Sequence, residues 1–209
     1  KSRSRGLGDV YKRQNKDTKD PKELHAFNRM LLRLRELDAI VVAGINGNTA
    51  GGGCEFSLGC DLRVMADGDF LIGLPETSVG ILPGGGGTQR LSRLIGSSRA
   101  LDLILHAKLL KPLEAYNLGI INKLLKEKNF KEELYEYCED LANRAPIALS
   151  QVKKIIHRGL EMTLEDSLLL EQKAFDVTMN SKDAARAMRS LLNAQENIEN
   201  EIKFKWKGE

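Results

Sequence analysis

Apolar residues recur at helical spacing between Glu23 and Leu37. Leu24, Phe27, Leu31 and Leu34 form one stripe, with Met30 and Leu37 beside it, and the pattern predicts an amphipathic helix. Asp20-Pro21 is a suitable lead into it. The period then changes. Ala39–Ile45 is a continuous apolar, β-branched run, as in a buried strand, and Asn46-Gly47 is a turn signal. Gly51–Gly53 lead into a short helix over Cys54–Cys60. Leu62–Met65 and Phe70–Ile72 read as two further strands. Gly80–Gly87 cannot hold regular structure, and Thr88-Gln89-Arg90-Leu91 opens the next helix. Ser98 is the expected N-cap of a helix over Arg99–Leu109. Leu113–Leu118 is a shorter helix stopped by Gly119, and Ile120–Leu125 is a strand.

After Asn129 only the helical period remains. Phe130–Asn143, Ile147–Leu160, Leu164–Met179 and Lys182–Asn197 each carry it. Pro146 suits the first turn of the second, and Thr163 with Asp166 resembles a capping pair for the third. Strands interleaved with helices and then helices alone predict an α/β part followed by an all-α part. The divisions fall at residues 1–14, a non-native or disordered tail; 15–128, an α/β core; and 129–209, a helical region.

Charge narrows the function classes. The net charge is +3, but residues 1–14 hold five Lys/Arg against one Asp, so residues 15–209 carry −1. The basic balance belongs to the tip, which argues against nucleic acid as a partner. No apolar run is long enough to span a bilayer, and no signal-peptide pattern follows the basic start. No membrane partner is therefore expected. Cys54, Cys60 and Cys138 make an odd count without a CxxC pair, which fits a reducing compartment. His25, His106 and His157 lack metal-ligand spacing, so no metal is expected.

The chemistry concentrates in Ile45–Gly87. Glu55 follows Gly51-Gly52-Gly53-Cys54 directly, and Glu76 shortly precedes Pro83-Gly84-Gly85-Gly86-Gly87. Glycines opening a helix let a ligand approach the backbone closely. The first helical N–H groups have no intrahelical partner and sit at the positive end of the dipole. They can stabilise a phosphate, a carboxylate or a carbonyl oxygen that gains charge. By itself the run is also what a tight strand-to-helix turn requires. Neither a Gly-Lys-Ser/Thr loop nor a dinucleotide GxGxxG is present there, which disfavours phosphate cradling of those kinds. A glutamate at a helix start is ordinarily a solvated partner of the dipole, but Glu55 has an apolar or small residue on each side. A half-buried carboxylate can serve as a proton donor, and two close together can divide acid and base roles.

At these residues the sequence resembles the crotonase family, the enoyl-CoA hydratase/isomerase superfamily. The matching pieces are Ile45-Asn46-Gly47, Ala50–Glu55, Cys60-Asp61, Leu74-Pro75-Glu76 and Gly80–Leu91. Lys203–Glu209 also resembles the family's usual ending. The resemblance covers roughly residues 20–209. It implies an α/β fold, a crotonase-like spiral of ββα units, followed by C-terminal helices for trimerisation, with homotrimers often pairing into hexamers. It also implies an acyl-CoA thioester substrate in lipid metabolism, with no cofactor beyond the CoA of the substrate. The location expected is cytoplasmic, or mitochondrial in a eukaryote.

Residue by residue, the resemblance makes Gly52 an oxyanion-hole donor and Glu55 and Glu76 the two hydratase glutamates. It places the N–H of Gly84 near the reacting water. Isomerases of the family commonly keep only the counterpart of Glu76, so Glu55 favours a hydratase. Family members are longer at the N-terminus, so the α/β core is expected to be N-terminally truncated. Gly6-Leu7-Gly8-Asp9-Val10 faintly resembles the family segment that carries the other oxyanion donor, which would then be Gly8. Ala184–Ala187 and Asn193-Ala194-Gln195 depart from the family's usual residues, which weakens any expectation of CoA tail contacts there.

Overall fold

A computed structural model describes residues 23–193 and 204–209. Gly8, the 1–14 segment and residues 194–197 of the last expected helix lie outside the described residues. Among the described residues two compact units are present: residues 23–35 with 41–135, and residues 36–40 with 136–193 and 204–209.

The first unit alternates between two small sheets. Helix α1 (Ala26–Glu36) precedes β1 (Val42–Ile45), β2 (Thr49–Ala50) and α2 (Gly52–Leu58). Next come β3 (Leu62–Asp67), β4 (Ile72–Gly73), a 3-10 turn (Glu76–Val79), α3 (Gly87–Ile95) and α4 (Ser97–Leu105). The unit continues with β5 (Leu109–Leu110), α5 (Pro112–Asn117) and β6 (Lys123–Lys126). One sheet has the order β1-β3-β6, all parallel; the other is β2-β4-β5, with β2–β4 parallel and β4–β5 antiparallel. Each pass lays a strand in the first sheet and a shorter one in the second, then makes a helix. This happens at β1-β2-α2 and again at β3-β4-α3.

Central strand β3 is buried from Arg63 to Ala66, as a parallel strand covered on both faces must be. Ala43, Ile45, Leu58, Met65, Ile72 and Leu91 belong to one core cluster. Arg63 is the polar exception. Its guanidinium donates to the carbonyls of Ile120 (2.7 Å), Cys60 (2.9 Å) and Ser57 (3.4 Å) and to Asn122 Oδ1 (3.2 Å). Burial lowers its pKa, and these four acceptors offset the cost of the charge. One side chain thereby ties the C-terminal end of α2 to the approach to β6.

Several expected elements begin or end elsewhere. The strand expected from Ala39 starts at Val42, because Lys153 Nζ takes the Ala39 carbonyl (2.8 Å) and Asp61 Oδ2 takes the Val41 N–H (2.7 Å). The strand expected at Phe70–Ile72 is Ile72–Gly73, and Phe70 is drawn into a turn by its N–H to Gly68 O (2.9 Å). The strand expected from Ile120 starts at Lys123, since Arg63 holds Ile120 and Asn122. Ser98 is not an N-cap. Gly96, at φ 86°, separates α3 from α4 and its carbonyl receives the Ala100 N–H (3.1 Å), so Ser98 falls in the first turn. That helix also stops early, at Leu105. Ala107 takes φ 51°, and Leu109–Leu110 pair with β4 instead.

Helix α6 (Phe130–Ala142) runs from the first unit into the second, where α7 (Pro146–Gly159), α8 (Leu164–Met179) and α9 (Lys182–Asn193) follow. Helices α7 and α8 pack on each other. Thr163 caps α8 as expected, accepting the Asp166 N–H at 3.2 Å. Residues 36–40 attach to α7 through Ser150–Asp38 (2.6 Å) and Arg158–Glu36 (2.9 Å). Buried Asp183 on α9 accepts the main-chain N–H groups of Lys207 (3.1 Å) and Gly208 (2.6 Å), which fixes residues 207–208 to that helix.

Leu31 on α1 is fully buried, and a Cβ at Gly59 would lie 2.6 Å from its Cδ2. The glycine thus makes room for the leucine at the end of α2. Leu31→Ala is expected to cost about 2–5 kcal/mol, read as a lowered midpoint of urea unfolding at unchanged slope.

Candidate active site

The site lies within the first unit. Strand β2 delivers the chain to Gly51, whose φ of 59° and ψ of −126° suit only a residue without a Cβ. Its N–H donates to Gly73 O on β4 (2.9 Å), and its carbonyl accepts from Glu55 N (2.9 Å). Helix α2 therefore opens at Gly52, inside the glycine run rather than after it. Gly52 is partly exposed, and the first-turn N–H groups here lack intrahelical acceptors by geometry.

One turn along α2, Glu55 is buried, with 1% of its surface exposed. The second glycine run meets it. Gly87 N–H donates to Glu55 Oε1 at 2.9 Å, and the Gly85 N–H also favours the charged carboxylate. Burial is the larger influence and raises the Glu55 pKa; the two N–H groups and the Arg90 guanidinium oppose it. The turn must be glycine for packing reasons too. A Cβ at Gly85 would collide with Glu55 Oε2 and lie 2.7 Å from the Phe27 ring. One at Gly87 would lie 2.8 Å from Leu74 and 2.9 Å from Pro83.

Glu76 begins the 3-10 turn that follows β4 and is equally buried, 1% exposed. Cys54 relates the two carboxylates. Burial first, then the charges of Glu76 and Glu55, push its thiol up to about 12. Glu55 on α2 and Glu76 on the turn after β4 are thus both buried carboxylates whose charge raises the Cys54 thiol pKa. Gly84 stands in the turn before α3, and its carbonyl accepts from Asn28 Nδ2 at 3.3 Å. The structure thus brings Glu55 to the second glycine run, while Gly52 opens the helix that carries Cys54 and Glu55, and Glu76 lies on the 3-10 turn after β4.

Phe27, Asn28 and Arg90 were not expected in the site. Helix α1 brings the first two, and Arg90 Nη1 donates to Gly85 O (2.8 Å) and Asn28 Oδ1 (3.3 Å). The stripe pattern of α1 shows only which face packs, so an asparagine beside that stripe gives no signal. Among the described residues, no group of three or more His, Cys, Asp or Glu is placed to hold a metal ion, and no helix is long and apolar enough to cross a membrane.

A family model described as enoyl-CoA hydratase/isomerase matches residues 6–205. The chain is 36% identical over 165 residues to the short-chain-enoyl-CoA hydratase of Clostridium acetobutylicum, covering 79% of this chain and 63% of that protein. It is 38% identical over 154 residues to the mitochondrial methylglutaconyl-CoA hydratase of Homo sapiens, covering 72% and 45% respectively. It thus spans less than two thirds of the length of either relative. A crystal structure of an enoyl-CoA hydratase from Geobacillus kaustophilus HTA426 matches with a TM-score of 0.81 at 37% identity, over 88% of this chain and 67% of that one.

The Cys54 environment makes a direct prediction. With its pKa near 12, the thiol is neutral and unreactive at pH 8. Iodoacetamide followed by peptide mapping is expected to leave Cys54 unmodified in the native protein and to alkylate it in denaturant. Rapid native labelling would contradict the buried placement.

Proposed function

The chain belongs to the enoyl-CoA hydratase/isomerase family and has its α/β crotonase fold, and from this premise we propose that it hydrates a 2-enoyl-CoA. Water adds across the 2,3 double bond and a 3-hydroxyacyl-CoA is released. The observation that carries this reading is the pair of buried glutamates, Glu55 on the glycine-opened helix and Glu76 on the turn after β4, both of which act on the charge state of Cys54.

In the proposed mechanism the Gly52 N–H receives the thioester carbonyl oxygen. A preorganised donor of this kind is worth about 3–4 kcal/mol to a transition state that places charge there. Polarisation makes Cβ electrophilic. Glu55 takes a proton from water held near the Gly84 N–H as the C–O bond to Cβ forms, and the electron pair moves to the enolate. Glu76, protonated, then delivers its proton to Cα. Proton exchange with solvent returns both carboxyl groups to their starting states. The main-chain N–H groups and the Arg90 guanidinium that favour the ionised form of Glu55 support its role as the base.

The methylglutaconyl-CoA hydratase relative, at 38% identity, supports a second reading in which the acyl group is branched and dicarboxylic. Crotonyl-CoA and 3-methylglutaconyl-CoA assayed side by side distinguish the two by kcat/KM. We further propose assembly through the C-terminal helices into trimers or hexamers, supported by the exposed Leu168, Leu169, Phe175 and Val177 on α8. Light scattering is expected to give three or six times 23.3 kDa, and a monomeric mass would reject it.

Glu76→Gln and Glu55→Gln are each expected to lower kcat by about a thousandfold with the fold intact by circular dichroism. Wild-type turnover in either would remove that residue from the mechanism. The pH profile has a definite sign. Glu55 must be ionised to act as base, and its pKa is raised by burial. Activity should therefore fall on the acid side at a pH above the ordinary glutamate range, and this limb should vanish from the residual activity of Glu55→Gln.

A further inference from the structure

Taking Glu55 as the base of the proposed hydration, we propose that Arg90 and Asn28 are positioning residues for its carboxylate: Asn28 acts through the Gly84–Gly85 peptide, and the Arg90 guanidinium orients Asn28, holds the Gly85 carbonyl and supplies a positive charge. The turn can be followed peptide by peptide. The Gly84–Gly85 carbonyl accepts from Asn28 Nδ2 at 3.3 Å, and the N–H of the same peptide is that of Gly85, which favours the charged Glu55. The Gly85–Gly86 carbonyl accepts from Arg90 Nη1 at 2.8 Å. The Gly86–Gly87 carbonyl accepts the main-chain N–H of Arg90 at 2.9 Å and of Gln89 at 3.2 Å. The N–H of that peptide is the one that reaches Glu55 Oε1 at 2.9 Å.

Every peptide of the turn is therefore engaged at its carbonyl, and the two that present their N–H to Glu55 are held by Asn28 and by main-chain N–H groups of α3, while the Arg90 guanidinium holds the middle one and orients Asn28. A donor on an amide oxygen polarises the amide and strengthens its own N–H as a donor. The asparagine is oriented as well. A guanidinium has donors only, so its 3.3 Å contact to Asn28 Oδ1 leaves Nδ2 for Gly84. Gly86, at φ 97°, lets Arg90 approach this closely. A Cβ there would collide with Nη1 and lie 2.9 Å from Asn28 Oδ1.

Charge adds to geometry. The Arg90 guanidinium, partly desolvated and repelled by Arg35 of α1, lowers the Glu55 pKa against burial. The other titratable groups at the centre are the Cys54 thiol on α2 and Glu76 on the 3-10 turn. Among the described residues Arg90 is thus a cation that favours ionised Glu55, and a guanidinium keeps its charge at every accessible pH. A side chain that merely stapled the turn would change stability without changing how Glu55 titrates.

The test measures that titration directly, on the full chain labelled with 13Cδ-glutamate, with Glu55→Gln identifying the Glu55 signal. Arg90→Gln is expected to raise the Glu55 midpoint by about one pH unit. Asn28→Ala should raise it by a smaller amount, and Arg90→Lys, which keeps the charge, should stay nearer wild type than Arg90→Gln. The acid limb of kcat/KM for crotonyl-CoA should move in the same direction. Unmoved midpoints in folded Arg90→Gln and Asn28→Ala overturn the proposal. If Arg90→Gln does not fold, the Asn28→Ala midpoint decides alone. A shifted midpoint in a protein that hydrates no enoyl-CoA keeps the relay and rejects the hydratase reading. Normal hydration with unmoved midpoints rejects the relay only.

Discussion

The hydrogen bond from the Gly87 N–H to Glu55 Oε1 organises the active-site half of this protein. It joins the first turn of one helix to the entry of another, 32 residues later in the chain. For it to form, β2 and β4 must pair so that Gly51 reaches Gly73, and the chain after β4 must return over the start of α2. Both glycine runs are needed, the first to open α2 and the second to approach a buried carboxylate without a Cβ in the way. A buried carboxylate is costly unless hydrogen-bonded, so the turn and the glutamate depend on each other.

Arg63 does for the other end of α2 what the glycine turn does near its start. Its guanidinium holds the Ser57 and Cys60 carbonyls, where the helix dipole is negative and a cation is favoured. The helix is therefore fixed by a cation at its C-terminal end and by main-chain donors around Glu55. Neither anchor is a surface ion pair that salt would weaken, because both sit among buried residues. A rigid α2 keeps its opening N–H groups in one orientation, as preorganised electrostatic stabilisation requires.

Much of this was legible in the residues, for identifiable reasons. Leu62–Met65 shows as a strand because Leu62, Val64 and Met65 are apolar about the single charge of Arg63, and Leu164–Met179 shows as a helix because its period runs unbroken behind a Thr163 cap. Gly51–Glu55 and Glu76 draw attention because glycine runs beside carboxylates are uncommon. The rest depends on contacts that no local pattern records. Strands β2 and β5 are two residues long, too short for any period, and exist only because β4 pairs with both. The early end of α4 follows from that same pairing. Asn28 and Arg90 look like ordinary polar helix residues until the chain brings them to one turn from positions 62 residues apart.

Holding Glu55 with peptide groups changes how the site can fail. A carboxylate held by a lysine or a histidine is lost when that side chain is exchanged or changes its protonation. Main-chain donors have no side chain to exchange and no proton to lose in the working pH range. The vulnerability moves from chemistry to shape. At Gly85, Gly86 and Gly87 the smallest possible addition, a single methyl group, meets an occupied position, while Thr88 and Gln89 beside them lie at the surface or partly exposed. Damage to this centre should therefore arrive abruptly, as crowding at three adjacent positions, with little gradation between a working turn and a displaced one.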